Sequence, residues 1–167
     1  NKVISHENNL GKCMAMLTGV KASKNKVICV MDGDGQNPPY EVKRMIDYWH
    51  QVPKDFKDFV LICGNRKNRQ DTFIKRVSSK IANSVRRFIL NDDCNDTACA
   101  LKVFSKTDYL KIEYFKNMHR FLPALTRRHG GSVISHIVSH RNRSSGVSKY
   151  SNWQRFRVGL IDLYGVS

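Results

Sequence analysis

Short apolar runs alternate along the chain with longer segments in which apolar residues recur at helical spacing. The apolar runs cover residues 27–31, 59–63 and 133–138, and residues 100–104 alternate between apolar and polar side chains. Runs of this length are typical of strands, and an uninterrupted apolar run predicts a strand that is buried on both faces. Val3 and Ile4 are interpreted as the end of a further strand.

Helices are predicted between these strands, at residues 11–22, 40–50, 71–90 and 108–128. Pro38 and Pro39 stand before the second helix, and Asp71 or Thr72 can cap the third. We expect the last helix to be interrupted near Pro123 and to end at Gly130-Gly131. The alternation of strands and helices predicts an α/β fold with a mostly parallel central sheet.

The polar and glycine-rich segments of the chain follow the predicted strands. They are DGDGQNPP, GNRKNRQD, NDDCNDT and HRNRSSGVSKY. Ligands of α/β sheets bind beyond the carboxyl ends of the strands, so these segments are expected to form the functional site.

Asp32 and Asp34 follow the strand at 27–31 directly, with Gly33 between them. Two carboxylates at this spacing can both reach a hard divalent cation, and Mg²⁺ usually takes one or two carboxylates together with substrate phosphate oxygens. A calcium EF-hand loop is excluded, because Asn37 and Lys43 stand where its Gly and Glu are required. A simple Asp-Gly turn and a phosphatase-type aspartyl nucleophile remain as alternatives.

Arginines and lysines are concentrated in the later segments, where they suit phosphate oxygens. Arg66 follows the second apolar strand, and the loop 140–150 combines cations, hydroxyls and a glycine. That loop can clamp a diphosphate or act as a nucleic-acid arm. The histidines between residues 119 and 140 are scattered and form no site by spacing.

The composition supports a folded and strongly basic chain. Its 167 residues are 41% hydrophobic, and 29 Lys and Arg against 14 Asp and Glu give a net charge of +15. The stretch 114–161 contains no acidic residue. Such a charge predicts an anionic partner, namely nucleic acid, anionic lipid or a phosphorylated small molecule. The five cysteines are odd in number and include no CxxC pair, which argues against a disulfide framework.

Taken in order, the segments resemble the family-two glycosyltransferases of GT-A fold, and among them the polyprenyl-phosphate sugar transferases. The matching segments are NNLGKCMAMLTGV, VICVMDGDGQNPP, LICGNRKNRQD, KRVSSKIAN, NDTACALKVF, RFLPAL and HRNRSSGVSKY. Each segment is weak alone, but the set is specific and runs over nearly the whole chain. The resemblance implies a Rossmann-like three-layer fold with a mostly parallel central sheet.

The resemblance also implies a role for each matching residue. Asp32 and Asp34, assisted by Gln36, would hold Mg²⁺ or Mn²⁺ on the donor diphosphate, and Asp34 and Asp96 would be catalytic. The acceptor phosphate would be bound by Arg66, Arg76 and Ser79, although Lys75 can take the place of Arg76. The donor phosphates or the sugar would be covered by Arg143, Ser148 and Lys149.

The chain departs from the family pattern in two places. Ala98 and Ala100 replace both glycines of the usual DTGCGLK. Since glycine is the residue that allows a positive φ or a close backbone approach, the replacement puts both features in doubt at these two positions. Nothing like the family's PxYNE segment precedes Asn1, so the catalytic domain at residues 1–151 is expected to lack its first strand–helix units. Residues 152–167 are expected to form an amphipathic helix next to the membrane.

The resulting hypothesis is a metal-dependent, inverting transfer of a hexose from a nucleotide sugar of the GDP-mannose or UDP-glucose type to a polyprenyl phosphate. The expected location is the cytoplasmic face of a membrane, whose surface the basic residues would contact. Nucleic acid is not an expected partner, and no oligomeric state is predicted. Two alternatives stay open: a transferase with a polysaccharide acceptor, and a basic nucleic-acid-binding module.

Overall fold

The computed structural model describes residues 2–53, 59–66, 94–139 and 141. Its elements are α1 (Gly11–Ala22), β1 (Val27–Val30), α2 (Pro39–Gln51), β2 (Val60–Arg66), β3 (Lys102–Ser105), α3 (Lys106–Lys111), a 3-10 turn (Met118–Arg120), α4 (Leu122–Arg128) and β4 (Ser132–Val138). The predicted helices at 71–90 and 152–167 lie outside the described residues, and so does all of the loop 140–150 except residue 141.

The four strands form one mixed sheet in the order β1-β3-β2-β4. β3 pairs antiparallel with both β1 and β2, whereas β2 and β4 are parallel. β1, β2 and β4 therefore run in the same direction, and β3 runs in the opposite direction between two of them. The predicted α/β class is confirmed. Apolar patterning does not encode strand direction, which is why the sequence did not reveal the reversed strand.

Helices cover both faces of the sheet, as the three-layer prediction requires. Leu61 and Ile62 are neighbours in β2 and point to opposite faces, because side chains alternate along a strand. Leu61 belongs to a core cluster with residues of α1 and α4, and Ile62 belongs to a second cluster with Met45 and Trp49 of α2. The sheet is thus buried between α1 and α4 on one side and α2 on the other.

The helix ends follow local sequence signals. Pro39 opens α2, where its missing N–H costs no hydrogen bond. α4 ends at Arg128, and Gly130 just after its cap has a φ of 75°. The N–H groups of Gly130 and Gly131 donate to the carbonyls of Arg127 and Thr126 at 2.9 Å. This pair of bonds is the Schellman arrangement, so the predicted end at Gly130-Gly131 is confirmed.

Three details of the sequence prediction are wrong. Val3 and Ile4 form no strand and are 89% and 44% exposed. β1 has only Ile28 fully buried, because β1 lies at an edge of the described sheet. Pro123 does not interrupt a helix but lies in the first turn of α4, and the break falls earlier, between Lys111 and the 3-10 turn at 118–120.

Candidate active site at the carboxyl edge of the sheet

Four segments of the chain meet at one edge of the sheet. The carboxyl ends of β1, β2 and β4 lie there, and so does the start of β3, because β3 runs the other way. The edge therefore carries the loop after β1, the end of β2, the turn before β3 and the residues after β4. These are the segments from which the sequence predicted a site.

The DGDGQNPP loop is folded on itself at the end of β1. Gly35 has a φ of 76°, a backbone conformation that glycine adopts without strain. The Asp34 Oδ1 accepts the backbone N–H of Gln36 at 3.1 Å. The Asp32 Oδ1 accepts from the Lys12 ammonium at 2.6 Å, and both side chains of this pair are about 40% exposed. The two carboxylates thus have different neighbours.

The donor set at this loop fits a divalent cation bound together with a substrate. The carboxylates of Asp32 and Asp34 and the amide oxygen of Gln36 are hard ligands, which Mg²⁺ and Mn²⁺ prefer. Within the described residues, no group of three or more His, Cys, Asp or Glu side chains surrounds a single point. A Mg²⁺ site that takes most of its ligands from phosphates and water requires no such group.

Arg66 and Asp96 form a bidentate ion pair at the same edge. The Arg66 Nε and Nη2 donate to the two carboxylate oxygens of Asp96 at 2.6 and 2.8 Å, and the backbone N–H of Arg66 approaches Oδ2 at 3.4 Å. The side chains are only 13% and 5% exposed, so little water screens the pair. The pair joins the end of β2 to the turn before β3 and fixes the direction of both side chains.

The turn that carries Asp96 is supported by a buried lysine. Lys102 is 4% exposed, and its ammonium donates to the carbonyls of Thr97 and Cys99. The turn also closes on itself, because the Cys99 N–H donates to the Asp96 carbonyl at 3.1 Å. The ammonium therefore satisfies two carbonyls of a tight turn and holds Asp96 at the edge of the sheet.

The two alanines of this segment tolerate its backbone. Among the described non-glycine residues, only Phe59 and Asn117 have a positive φ, so Ala98 and Ala100 need no glycine conformation. The close approach occurs instead at Gly64 of β2. Its N–H donates to the Leu101 carbonyl at 2.9 Å, and a Cβ at this position would lie 2.8 Å from a cysteine sulfur.

A buried glutamate connects the loop after β1 to the end of β4. Glu41, in the first turn of α2, is 0% exposed. Its Oε1 accepts the backbone N–H of Ser139 at 2.9 Å, and its carboxylate pairs with Arg44 at 3.0 Å. Next to it, the backbone N–H of Arg141 donates to the Gln36 carbonyl at 2.9 Å. One contact thus attaches the end of β4 to the first turn of α2, and the other attaches the residues after β4 to the DGDGQNPP loop.

A thiol–imidazole pair joins α1 to the 3-10 turn. The Cys13 Sγ lies 2.9 Å from the His119 Nδ1, and the backbone N–H of His119 points to the same sulfur at 3.5 Å. Burial and, to a lesser extent, the positive charge of Lys12 lower the pKa of His119 to about 4. The imidazole is therefore neutral at neutral pH, and its Nδ1 forms a hydrogen bond with the Cys13 thiol.

All five cysteines are thiols rather than disulfides, and Cys63, Cys94 and Cys99 are buried. A hydrogen bond with Cys94 and burial together raise the pKa of Cys63 well above its usual value, and burial raises the pKa of Cys99. These thiols stay protonated and unreactive at neutral pH. They contribute to packing beneath the Arg66–Asp96 pair rather than to chemistry.

The structure thus brings several predicted residues together. Asp34 contacts Gln36, Arg66 contacts Asp96, and Asp32 lies at the same edge. The predicted Arg76, Ser79, Arg143, Ser148 and Lys149 lie outside the described residues.

Sequence reasoning missed three residues of the edge: Lys12, Glu41 and Lys102. Their signals were present but ambiguous. A lysine beside a helix start, a glutamate in a first helical turn and a lysine in a strand are usually exposed, and only the fold shows that Glu41 and Lys102 are buried.

The described helices say little about membrane contact. None of those within residues 2–53, 59–66 and 94–141 is long and apolar enough to cross a bilayer.

Comparison with known proteins finds one family profile, described as Glycosyl transferase family 2, that matches residues 1–113. Dodecaprenyl-phosphate galacturonate synthase of Rhizobium johnstonii is 32% identical over 99% of this chain and 48% of its own length.

Two relatives with the name undecaprenyl-phosphate 4-deoxy-4-formamido-L-arabinose transferase are also similar. The protein of Pectobacterium carotovorum is 27% identical over 86% of this chain and 42% of its own length. The protein of Pseudomonas fluorescens is 29% identical over 86% of this chain and 40% of its own length. The chain spans somewhat less than half the length of these curated relatives.

The family profile covers well over half of the chain and includes the DGDGQNPP loop, Arg66 and Asp96. The resemblance seen in the sequence is therefore confirmed, and the chain belongs to glycosyl transferase family 2.

Proposed function

We propose that this chain carries the catalytic residues of an inverting glycosyltransferase that moves a sugar from a nucleotide sugar to a polyprenyl phosphate. The observation that carries the proposal is the meeting of two groups of residues at one edge of the sheet. The carboxylates of Asp32 and Asp34 follow β1, and the Arg66–Asp96 pair joins β2 to the turn before β3. One group suits a donor diphosphate, and the other suits the place where acceptor and sugar meet.

The reaction needs little general-base catalysis. An oxygen of the acceptor phosphate is already anionic, and it attacks the anomeric carbon while the bond to the donor diphosphate breaks. The nucleoside diphosphate leaves, and the configuration at the anomeric carbon is inverted. The protein must therefore orient two anionic substrates and balance their charge.

Each part of the edge has a defined task in this scheme. The Asp32–Gln36 loop would hold a Mg²⁺ or Mn²⁺ ion, which supplies a positive charge to the departing diphosphate when it is bound. Asp96 is held in a fixed direction by Arg66, close to where the sugar is transferred. Glu41 keeps the end of β4 against the loop after β1.

The remaining assignments are part of the same proposal. Arg66, Arg76 and Ser79 bind the acceptor phosphate, and Arg143, Ser148 and Lys149 cover the donor. The names of the relatives support the acceptor, because each of them names a dodecaprenyl or undecaprenyl phosphate. Residues 152–167 and the basic surface are proposed to contact anionic lipid at the cytoplasmic face. The sugar is a hexose carried by a nucleotide of the GDP or UDP type.

The test of the metal and donor role is substitution of either carboxylate in the full-length protein. Asp32→Asn and Asp34→Asn should each lower transfer of radiolabelled sugar to a short polyprenyl phosphate by at least about a hundredfold, because charge balance on the leaving group is lost. Asp47→Asn is the matched control, since Asp47 is an exposed aspartate paired with Lys43 on α2. Full transfer by both loop variants would remove the donor role of the loop.

The acceptor is tested by competition between two substrate classes. Wild-type protein is supplied with labelled GDP- and UDP-sugars and with either a short polyprenyl phosphate or an oligosaccharide end. Label that extracts with the prenyl lipid and is released by mild acid supports the proposal. Label found only on the oligosaccharide would replace it by the polysaccharide alternative.

A further inference from the structure

Lys12 forms an ion pair with the DGDGQNPP loop. Its ammonium donates to the Asp32 Oδ1 at 2.6 Å from the first turn of α1. The same two side chains, with Gly33, line one end of an open groove of about 490 Å³ between α1 and β1. Lys12 lies in the segment NNLGKCMAMLTGV, but the family resemblance implies no role for it.

The backbone of Lys12 is held in place, while its ammonium can change partner. The neighbouring residue, Cys13, is 5% exposed and is hydrogen-bonded to His119, so the first turn of α1 is anchored to the 3-10 turn. The Lys12 side chain is 40% exposed, and its four-carbon stem can turn without any movement of the helix. An exposed ion pair of this kind is favoured over its separated side chains by only about fivefold or less, so the ammonium can readily leave Asp32 for another partner.

The position of Lys12 has opposite effects on two ligands. A divalent cation at Asp32 must compete with the ammonium for the same carboxylate oxygen and is repelled by its charge. A diphosphate held beside Asp32 lies within the range of the lysine, and an ammonium binds phosphate oxygens strongly. His119 is neutral here and does not compete with Lys12 for either partner.

We propose that Lys12 is a donor-binding residue that exchanges Asp32 for an oxygen of the donor diphosphate when the nucleotide sugar binds. The exchange frees the Asp32 carboxylate at the moment when a cation is needed there, so the donor and the cation bind cooperatively. This inference rests on the proposed function, because it assumes a nucleoside diphosphate at the loop.

The experiment measures binding to the full-length protein and needs no turnover. Mn²⁺ affinity is determined from the electron paramagnetic resonance signal of free Mn²⁺, and affinity for GDP and UDP is determined by calorimetry with Mn²⁺ present. Lys12→Met should bind Mn²⁺ alone about two- to fivefold more tightly, since the competing ammonium is gone. It should bind the preferred nucleoside diphosphate about tenfold more weakly, since a charged hydrogen bond is lost.

Two further variants control the result. Lys43→Met removes an ammonium that also lies 2.6 Å from an aspartate, Asp47, but on the exposed face of α2, and it should change neither affinity. Lys12→Arg keeps the positive charge and should recover part of the nucleoside diphosphate affinity. Circular dichroism of each variant checks that the fold is retained.

The outcomes separate this inference from the function on which it rests. If Asp32→Asn abolishes Mn²⁺ binding but Lys12→Met has wild-type affinity for both ligands, the role of Lys12 is overturned and the proposed function stands. If wild-type protein binds neither Mn²⁺ nor a nucleoside diphosphate, both are overturned.

Discussion

The Arg66–Asp96 pair offers the sharpest test of how this site is held together. Removal of one partner of a buried ion pair leaves an uncompensated charge, which usually costs about 3–5 kcal/mol of folding free energy. Both side chains are nearly buried, at 13% and 5% exposure, and the pair is bidentate. We therefore expect Arg66→Met and Asp96→Asn each to lower the free energy of unfolding by about 3–5 kcal/mol.

The double variant distinguishes this reasoning from a simple loss of contacts. When both Arg66→Met and Asp96→Asn are present, no unpaired charge remains, so the loss should be smaller than the sum of the single losses. A coupling free energy of about 2–3 kcal/mol is expected, near the upper end for residues in contact. It should change little between low and high salt, because buried pairs are poorly screened.

The assay is urea unfolding of the four proteins, followed by circular dichroism. Lys43→Met tests an exposed Lys–Asp pair with the same 2.6 Å separation and should lower the unfolding free energy by less than about 1 kcal/mol. Additive effects of Arg66→Met and Asp96→Asn within about 0.5 kcal/mol, or single losses below about 1 kcal/mol, would refute the argument that the buried pair is coupled.

Substitutions at Gly64, His119 and Glu41 test three separate features. Gly64→Ala would place a Cβ 2.8 Å from the Cys99 Sγ and should lower the unfolding free energy by about 1–3 kcal/mol. Gly19→Ala is the control: it has open space around it in α1 and should raise the unfolding free energy by about 0.5–1 kcal/mol. The pKa of His119 is lowered to about 4 in the folded protein, so between about pH 6.5 and 4 the unfolded chain binds a proton that the folded chain does not. The free energy of unfolding should therefore fall as the pH is lowered from about 6.5 to 4 and stay level above that range. His119→Asn should remove this part of the pH dependence, measured from urea midpoints. Glu41→Ala should cost about 1.5–3 kcal/mol and slow sugar transfer, and Glu41→Gln should recover much of both, because an amide oxygen can still accept the Ser139 N–H.

Each of these expectations has a contradicting result. Equal unfolding free energies for Gly64→Ala and wild type would show that the turn before β3 yields to the added carbon. An identical pH slope in His119→Asn would place the titrating group elsewhere. Equal transfer rates in Glu41→Ala and wild type would remove Glu41 as a positioning residue.

Much of the fold was predictable because it depends on local patterns. The apolar run around Leu61 predicted β2, the proline pair predicted the start of α2, and Gly130-Gly131 predicted the end of α4. The reversed direction of β3 was not predictable, because alternation of apolar residues is the same in parallel and antiparallel strands. Direction depends on how the connections of the chain fold, which no short window of sequence records.

The site was predictable in its residue types but not in its contacts. Asp32 and Asp34 were identified from their position after a strand, and Arg66 and Asp96 through resemblance to a family. The pairing of Arg66 with Asp96 joins residues 30 positions apart, and that of Lys12 with Asp32 joins residues 20 positions apart. Such pairs appear only when the topology brings the strand ends to one edge.

The central place of β3 has a kinetic consequence. β1 and β2 are not neighbours in the described sheet, where β1 pairs with β3, roughly 70 residues later along the chain. At a synthesis rate of about 5–20 residues per second, β1 leaves the ribosome some 4–14 seconds before β3 does. Sheet formation must also close long loops, which makes folding slow. The ladder between β1 and β3 therefore cannot form until seconds after β1 is made, and chaperones have that time to bind the edge of β1 that β3 later covers.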